Sequence, residues 1–267
     1  MEIQMVQPGR TKKTGFDQLV LPPGHKDIIL SLVIQHFRHK QSSGAGQVDI
    51  IRGKGKGLIL LLHGAPRVGK TSTAEGLAEK FQKPLFSLTC GDLGTTAKEV
   101  EEALSRNFAL ASRWGCIVLL DEADVFLAQR TKEDFQRNGL VAVFLRALEY
   151  YSGILLLTTN RVGDFDEAFA SRIHVSLYYP ELGLKESRDV LKLNLKIIRQ
   201  QYEGKPQTLS IDQVEIGAFF ENYWKSHPFD HWNGRQIRNA CQTALALAEY
   251  EAHENANTSK SMESSEI

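Results

Sequence analysis

Leu58-Ile59-Leu60-Leu61-Leu62-His63-Gly64-Ala65-Pro66-Arg67-Val68-Gly69-Lys70-Thr71 joins an unbroken apolar run to the pattern G-x-x-x-x-G-K-T, and helical spacing continues from Ser72 to Phe81. The apolar run predicts a buried strand, and the order strand, glycine loop, helix is the setting that a phosphate-binding loop requires. Glycines let backbone N–H groups turn inward around phosphate oxygens, and the helix that follows aims its positive dipole end at the anion. The candidate binding residues are therefore Gly64, Ala65, Pro66, Arg67, Val68, Gly69, Lys70, Thr71 and Ser72. Lys70 would neutralise the β- and γ-phosphates, and the Thr71 hydroxyl would hold Mg²⁺.

A second stretch supplies the acids. Cys116-Ile117-Val118-Leu119-Leu120 reads as a strand buried on both faces, and it ends in Asp121-Glu122-Ala123-Asp124. Such a strand delivers carboxylates to the carboxyl edge of a parallel sheet, where open α/β folds bind ligands. Asp121 is placed to hold Mg²⁺ through water, and Glu122 to polarise the water that attacks a γ-phosphate. A third buried strand, Gly153 to Thr159, ends in Asn160, which would sit beside the acids and hydrogen-bond the attacking water; capping the following turn is its plainer alternative.

Around these three stretches the chain alternates strand and helix. Pro84 to Thr89 and Ile173 to Tyr179 are further strands; His25–Lys40, Ala97–Arg113, Gly139–Tyr151 and the short Phe165–Ala170 are helices. Phe16 to Pro22 reads as an extended apolar segment, Val48 to Ile51 as short and β-like, and Arg52 to Gly57 as a solvated linker. This alternation requires a parallel sheet covered by helices on both faces, a three-layer αβα fold. After residue 180 the strands stop. Glu186–Gln201, Ile211–Tyr223 and Asn233–Tyr250 read as helices, which predicts a small all-α domain over 181–252 behind a nucleotide-binding domain over 14–180. Residues 1–13 are expected to be a disordered lead and 253–267 a disordered tail.

Composition narrows the function classes. Lysine plus arginine and aspartate plus glutamate number 32 each, so no net field draws the molecule to nucleic acid or to an anionic membrane. Cys90, Cys116 and Cys241 lie far apart without metal-ligand spacing, which argues against zinc and for reduced thiols in a cytoplasmic or other reducing compartment. No apolar run approaches the roughly 20 residues that span a bilayer.

Taken together, the motifs resemble those of AAA+ ATPases, close to the AAA clade, over about residues 16 to 250. Gly64–Thr71 match Walker A and Leu119–Glu122 match Walker B. Thr158-Thr159-Asn160 looks like sensor 1, Phe169-Ala170-Ser171-Arg172 resembles the arginine-finger segment, and Asn233-Gly234-Arg235-Gln236-Ile237-Arg238-Asn239 resembles the sensor 2 helix of a lid. The wording is most similar to AAA-domain ATPases common in filamentous fungi. The resemblance implies Mg²⁺-dependent ATP binding and hydrolysis in a ring, usually a hexamer, coupled to remodelling of a protein partner. Arg172 would reach a neighbouring subunit's site, with a surface ion pair as its alternative, and Arg235, or Arg238 one turn on, would contact the γ-phosphate.

This chain departs from the family pattern in two places and leaves one question to a partner. Ala65 and Arg67 stand where the AAA loop has proline and glycine, and Cys90-Gly91-Asp92-Leu93-Gly94-Thr95-Thr96 lacks the aromatic of a threading pore loop. Remodelling or gating of a partner is therefore expected ahead of threading. Partner recognition is expected to come from an adaptor or from another part of a longer protein. Two rival readings are an ATP-binding switch with little hydrolysis and a small-molecule phosphotransferase; the lid, finger and sensor segments weigh against the second.

Overall fold

Three apolar runs and two mixed segments form five parallel strands. They are β1 (Leu58–Gly64), β2 (Leu85–Thr89), β3 (Ile117–Asp121), β4 (Ile154–Thr159) and β5 (Val175–Tyr179), in the order β2-β3-β4-β1-β5. The register runs Phe86↔Val118, Val118↔Leu155, Ile59↔Leu155 and Leu60↔Val175. The computed structural model describes residues 14–42, 57–127, 134–161, 165, 167–203, 205 and 209–263. The expected lead, the Val48–Ile51 segment and the linker through Lys56 lie outside them.

Because strand side chains alternate, each central strand feeds two cores. Ile59, Leu61, Val118, Leu120, Leu155 and Leu157 pack with Val100, Leu104 and Phe108 of α4 (Ala97–Trp114) and with Val141, Phe144 and Leu148 of α6 (Phe135–Tyr150). Leu60, Leu62, Leu119 and Leu156 point the other way and are as fully buried. That second face carries α3 (Lys70–Lys80), which packs on β2, β3 and β4, and α2 (His25–Ser42), which packs on β1. The three-layer αβα arrangement expected from the alternation is therefore present.

Two local expectations give way. Residues Gly15–Gln18 form a one-turn helix, α1, where an extended segment was expected. Thr14 and Asp17 close a capping box, with Thr14 N and Oγ1 donating to Asp17 Oδ2 at 3.1 and 2.8 Å. The turn is fastened to α3 by Gly15 N to Glu79 Oε2 at 2.8 Å and by the Lys80–Asp17 ion pair at 2.6 Å. At the other end, α10 (Gly234–Glu263) continues through most of the stretch expected to be a disordered tail from His253. No glycine or proline follows Gly234 before Glu263, so nothing in the chain breaks the helix once it has started.

The chain divides between Pro180 and Glu181 into two units. The second contains α8 (Leu184–Tyr202), α9 (Gln213–Ser226) and α10, around a core of Leu191, Leu195, Ile198, Phe220, Ile237 and Cys241. The remaining short helices, α5 (Asp124–Leu127) and α7 (Glu167–Ala170), belong to the first unit.

Candidate nucleotide site

The loop after β1 is shaped by the closeness of β5. Gly64 has φ 131°, and a Cβ there would lie 2.1 Å from the Tyr179 carbonyl oxygen. Ala65 N donates to that same oxygen at 3.1 Å. Only glycine fits where the chain turns off the sheet. Three residues later Arg67 has φ 61°, in the left-handed region, with its side chain exposed. A side-chain-bearing residue pays about 1–2 kcal/mol for that conformation. The backbone at Arg67 thus keeps a glycine-type shape although the residue is not glycine, and α3 starts at Lys70, whose first turn leaves N–H groups free of intrahelical partners.

Lys70 is 6% exposed and uses its ammonium hydrogens inside the loop. Nζ donates to Gly64 O at 2.9 Å, Ala65 O at 2.5 Å and Asn160 Oδ1 at 2.9 Å. Burial lowers its pKa, while the carboxylates of Asp121 and Asp124 act in the opposite direction. A desolvated ammonium held by neutral carbonyls is available to a stronger acceptor, and a phosphate oxygen is one.

The acids are held by β4. Asp121 Oδ2 accepts from Thr71 Oγ1 at 3.1 Å, and its other oxygen accepts from Thr158 Oγ1. Glu122 N donates to Thr158 Oγ1 at 3.1 Å, and Ala123 N to Thr158 O at 2.8 Å. Glu122 itself has φ 56°, and its side chain is exposed at the carboxyl edge of the sheet. Asp124 accepts from Thr159 Oγ1.

The fold thus brings together Gly64, Lys70, Thr71, Asp121, Glu122 and Asn160. Arg172 is placed elsewhere. It precedes β5, whose parallel register with β1 runs from Leu60↔Val175 to Gly64↔Tyr179, so Arg172 lies toward the amino edge and the loop leaves the carboxyl edge. There it pairs with Glu149 and donates from Nη1 to Ala168 O at 2.7 Å. Arg235 and Arg238 belong to the second unit, exposed on either side of buried Ile237. Asn233 caps their helix, its Oδ1 accepting from the N–H groups of Arg235 and Gln236 at 3.1 Å each.

A hydroxyl and a carboxylate in contact beside a phosphate loop fit Mg²⁺, which takes one or two carboxylates and completes its shell with water and substrate phosphates. Thr71 and Asp121 are that pair. Among the described residues no cluster of three or more His, Cys, Asp or Glu side chains could hold a metal ion alone.

Sequence reasoning missed two contributors, Asp124, which acts on Lys70, and the individual role of Thr158. The signals were present as a third acid in Asp-Glu-Ala-Asp and as a hydroxyl pair before Asn160. Neither is interpretable before β3 and β4 are known to be neighbours.

Residues 60–181 match the family described as ATPase family associated with various cellular activities (AAA), and residues 210–266 match the fungal AAA+ ATPase lid domain. The chain is 30% identical over 171 residues to the ATPase family AAA domain-containing protein 3A homolog of Drosophila melanogaster, covering 61% of this chain and 28% of that protein. It is 30% identical over 176 residues to the human ATPase family AAA domain-containing protein 3B, covering 61% of this chain and 27% of that protein. The chain thus spans under a third of these relatives' length. The FIGL-1 AAA domain, solved in complex with ADP, is similar in fold with a TM-score of 0.58 at 20% identity, over 90% of this chain and 75% of that one.

Proposed function

The chain belongs to the AAA family of ATPases, and from that premise we propose that it hydrolyses Mg²⁺-bound ATP within a ring of its own copies and uses the cycle to remodel a protein partner. The observation that carries the reading is the convergence of Lys70, Thr71, Asp121 and Asn160 at one sheet edge, with Glu122 next along the chain.

In this reading the incoming phosphates take over Lys70 from the Gly64 and Ala65 carbonyls, and the loop amides bind the remaining phosphate oxygens. Thr71 and Asp121 would hold Mg²⁺, which would supply charge neutralisation for the bound phosphates. Glu122 orients the attacking water and accepts its proton, while Asn160 fixes that water from the β4 side. Arg172, at the opposite sheet edge from its own loop, stabilises charge in a neighbour's site. Arg235, with Arg238 as the alternative, contributes a further cation to the γ-phosphate, and mutating each separates the two.

The protein substrate and its adaptor belong to this proposal only as a class. Among the described residues no helix is long and apolar enough to cross a membrane. The free thiols of Cys90, Cys116 and Cys241 support a reducing, cytoplasmic location.

A second reading, an ATP-binding switch with little turnover, is favoured by the strained backbone and exposed guanidinium of Arg67 in the loop. Calorimetric titration with ATP and ADP, with light scattering of the same samples, tests the proposal. ATP should bind in the micromolar range, Lys70→Ala should abolish binding, and ATP should promote oligomers; a monomer indifferent to ATP would refute it.

A further inference from the structure

We propose that Thr158 is a positioning residue whose single hydroxyl holds Asp121 and Glu122 in the arrangement that Mg²⁺-nucleotide chemistry needs. The proposal rests on the nucleotide reading of the site.

The β3–β4 ladder ends at Leu120↔Leu157, so Asp121, although still paired with Thr89 of β2, and the residues after it have no ladder partner on β4. Thr158 takes over from the ladder. Its hydroxyl donates to Asp121 and accepts the Glu122 N–H at 3.1 Å, and its carbonyl accepts the Ala123 N–H at 2.8 Å. Three consecutive residues are fastened to one residue of the neighbouring strand.

The fastening has a reason. Glu122 at φ 56° occupies a conformation that a side-chain-bearing residue keeps only when its surroundings over-determine it. Its N–H is tied to β4 through Thr158, and its C=O is tied to the end of β2 through Cys90 Sγ, which donates at 3.1 Å. A threonine hydroxyl has one hydrogen and two lone pairs. With the hydrogen committed to Asp121, a lone pair receives the Glu122 amide, so one group orients both acids. Asp121 is then held at both oxygens, by Thr158 and by Thr71. Thr158 is 1% exposed, so water does not replace a lost hydroxyl without rearrangement.

Thr158→Val keeps the shape and removes the hydroxyl; Thr158→Ser keeps the hydroxyl. Binding of a fluorescent ATP analogue should be measured for the full chain with Mg²⁺ and with EDTA, beside phosphate release. Groups that orient metal ligands contribute about 10–100-fold. Thr158→Val should therefore lose about 10-fold or more of the tightening that Mg²⁺ confers and of kcat, with affinity in EDTA within about 2-fold of wild type. Thr158→Ser should retain both. If Thr158→Val does not fold, Thr158→Ala makes the same comparison. Full Mg²⁺ tightening and turnover in a folded variant without the hydroxyl would overturn the proposal. Wild-type protein that binds no ATP in either buffer would instead overturn the nucleotide reading, and this proposal with it.

Discussion

The amide oxygen of Asn160 lies 2.9 Å from the ammonium of Lys70, joining two motifs 90 residues apart. The end of β4 is therefore tied to the phosphate loop by a direct hydrogen bond. In the proposed cycle, phosphate would draw Lys70 away and leave Asn160 to face the attacking water. Asn160→Ala should lower kcat about 100-fold, the scale for removing one organised polar group from a transition state. ATP affinity should stay within about 3-fold, because the Gly64 and Ala65 carbonyls still hold Lys70 in place in the empty loop. Steady-state kinetics with a binding titration separates the two effects; an equal loss in both would contradict this role.

Arg67 offers a stability test. Its left-handed backbone costs about 1–2 kcal/mol, and glycine removes that cost while adding about 0.5–1 kcal/mol of unfolded-chain entropy. Arg67→Gly should therefore stabilise the chain by about 0.5–1 kcal/mol in urea unfolding. If Arg67 is also what slows turnover, phosphate release should rise in the same variant. A destabilised Arg67→Gly would show that the guanidinium makes a compensating contact.

The α1–α3 clamp predicts a response to acid. The Lys80 ammonium, with the Thr14 hydroxyl, lowers the Asp17 pKa from 3.8 to about 2. Because the folded-state value lies below the unfolded one, the pair contributes stability above about pH 4 and loses it as pH falls toward 2. Both side chains are partly exposed, 27% for Lys80 and 35% for Asp17, so the contribution is that of a surface pair, about 0.2–1 kcal/mol. Lys80→Met should cost that amount at pH 7 and lose less stability than wild type between about pH 4 and 2. Parallel pH slopes would remove the assignment.

Arg172 and Glu149 form an ion pair within one chain, which a neighbour's nucleotide would have to break. Mixing Arg172→Ala with Lys70→Ala subunits tests a role in trans. Each variant alone should be inactive, one lacking the finger and the other the loop lysine, yet mixed assemblies should recover hydrolysis at sites that combine an intact loop with an intact finger. Mixtures as inactive as the separate variants would leave Arg172 as a structural ion-pair residue.

The sheet was legible because its central strands β1, β3 and β4 carry runs of four or five apolar residues, as in Ile117–Leu120 before Asp121, and β5 alternates ahead of Pro180. The phosphate loop was legible because its chemistry is written contiguously. Short α1 was hidden because the unbroken apolar run Leu19-Val20-Leu21, stopped by Pro22 and Pro23, reads as extended chain, although Thr14 and Asp17 carried a capping signal. The reach of α10 past His253 was hidden because that stretch has a polar composition, whereas what governs it is the lack of a helix breaker. Thr158 and Asp124 were hidden for a different reason. Their roles depend on β3 and β4 lying side by side in one register, a tertiary fact that no local pattern encodes.

Phosphate release from Mg²⁺-ATP, measured side by side for the wild type and Glu122→Gln with ATP binding determined on the same preparations, tests the central claim most directly. Glu122→Gln keeps the size and position of the side chain and removes its ability to take a proton from water. The account predicts Mg²⁺-dependent release by the wild type and at least about 100-fold less by Glu122→Gln, with ATP affinity preserved. Equal, background-level release from both proteins, with ATP bound, would contradict hydrolysis and leave a nucleotide switch.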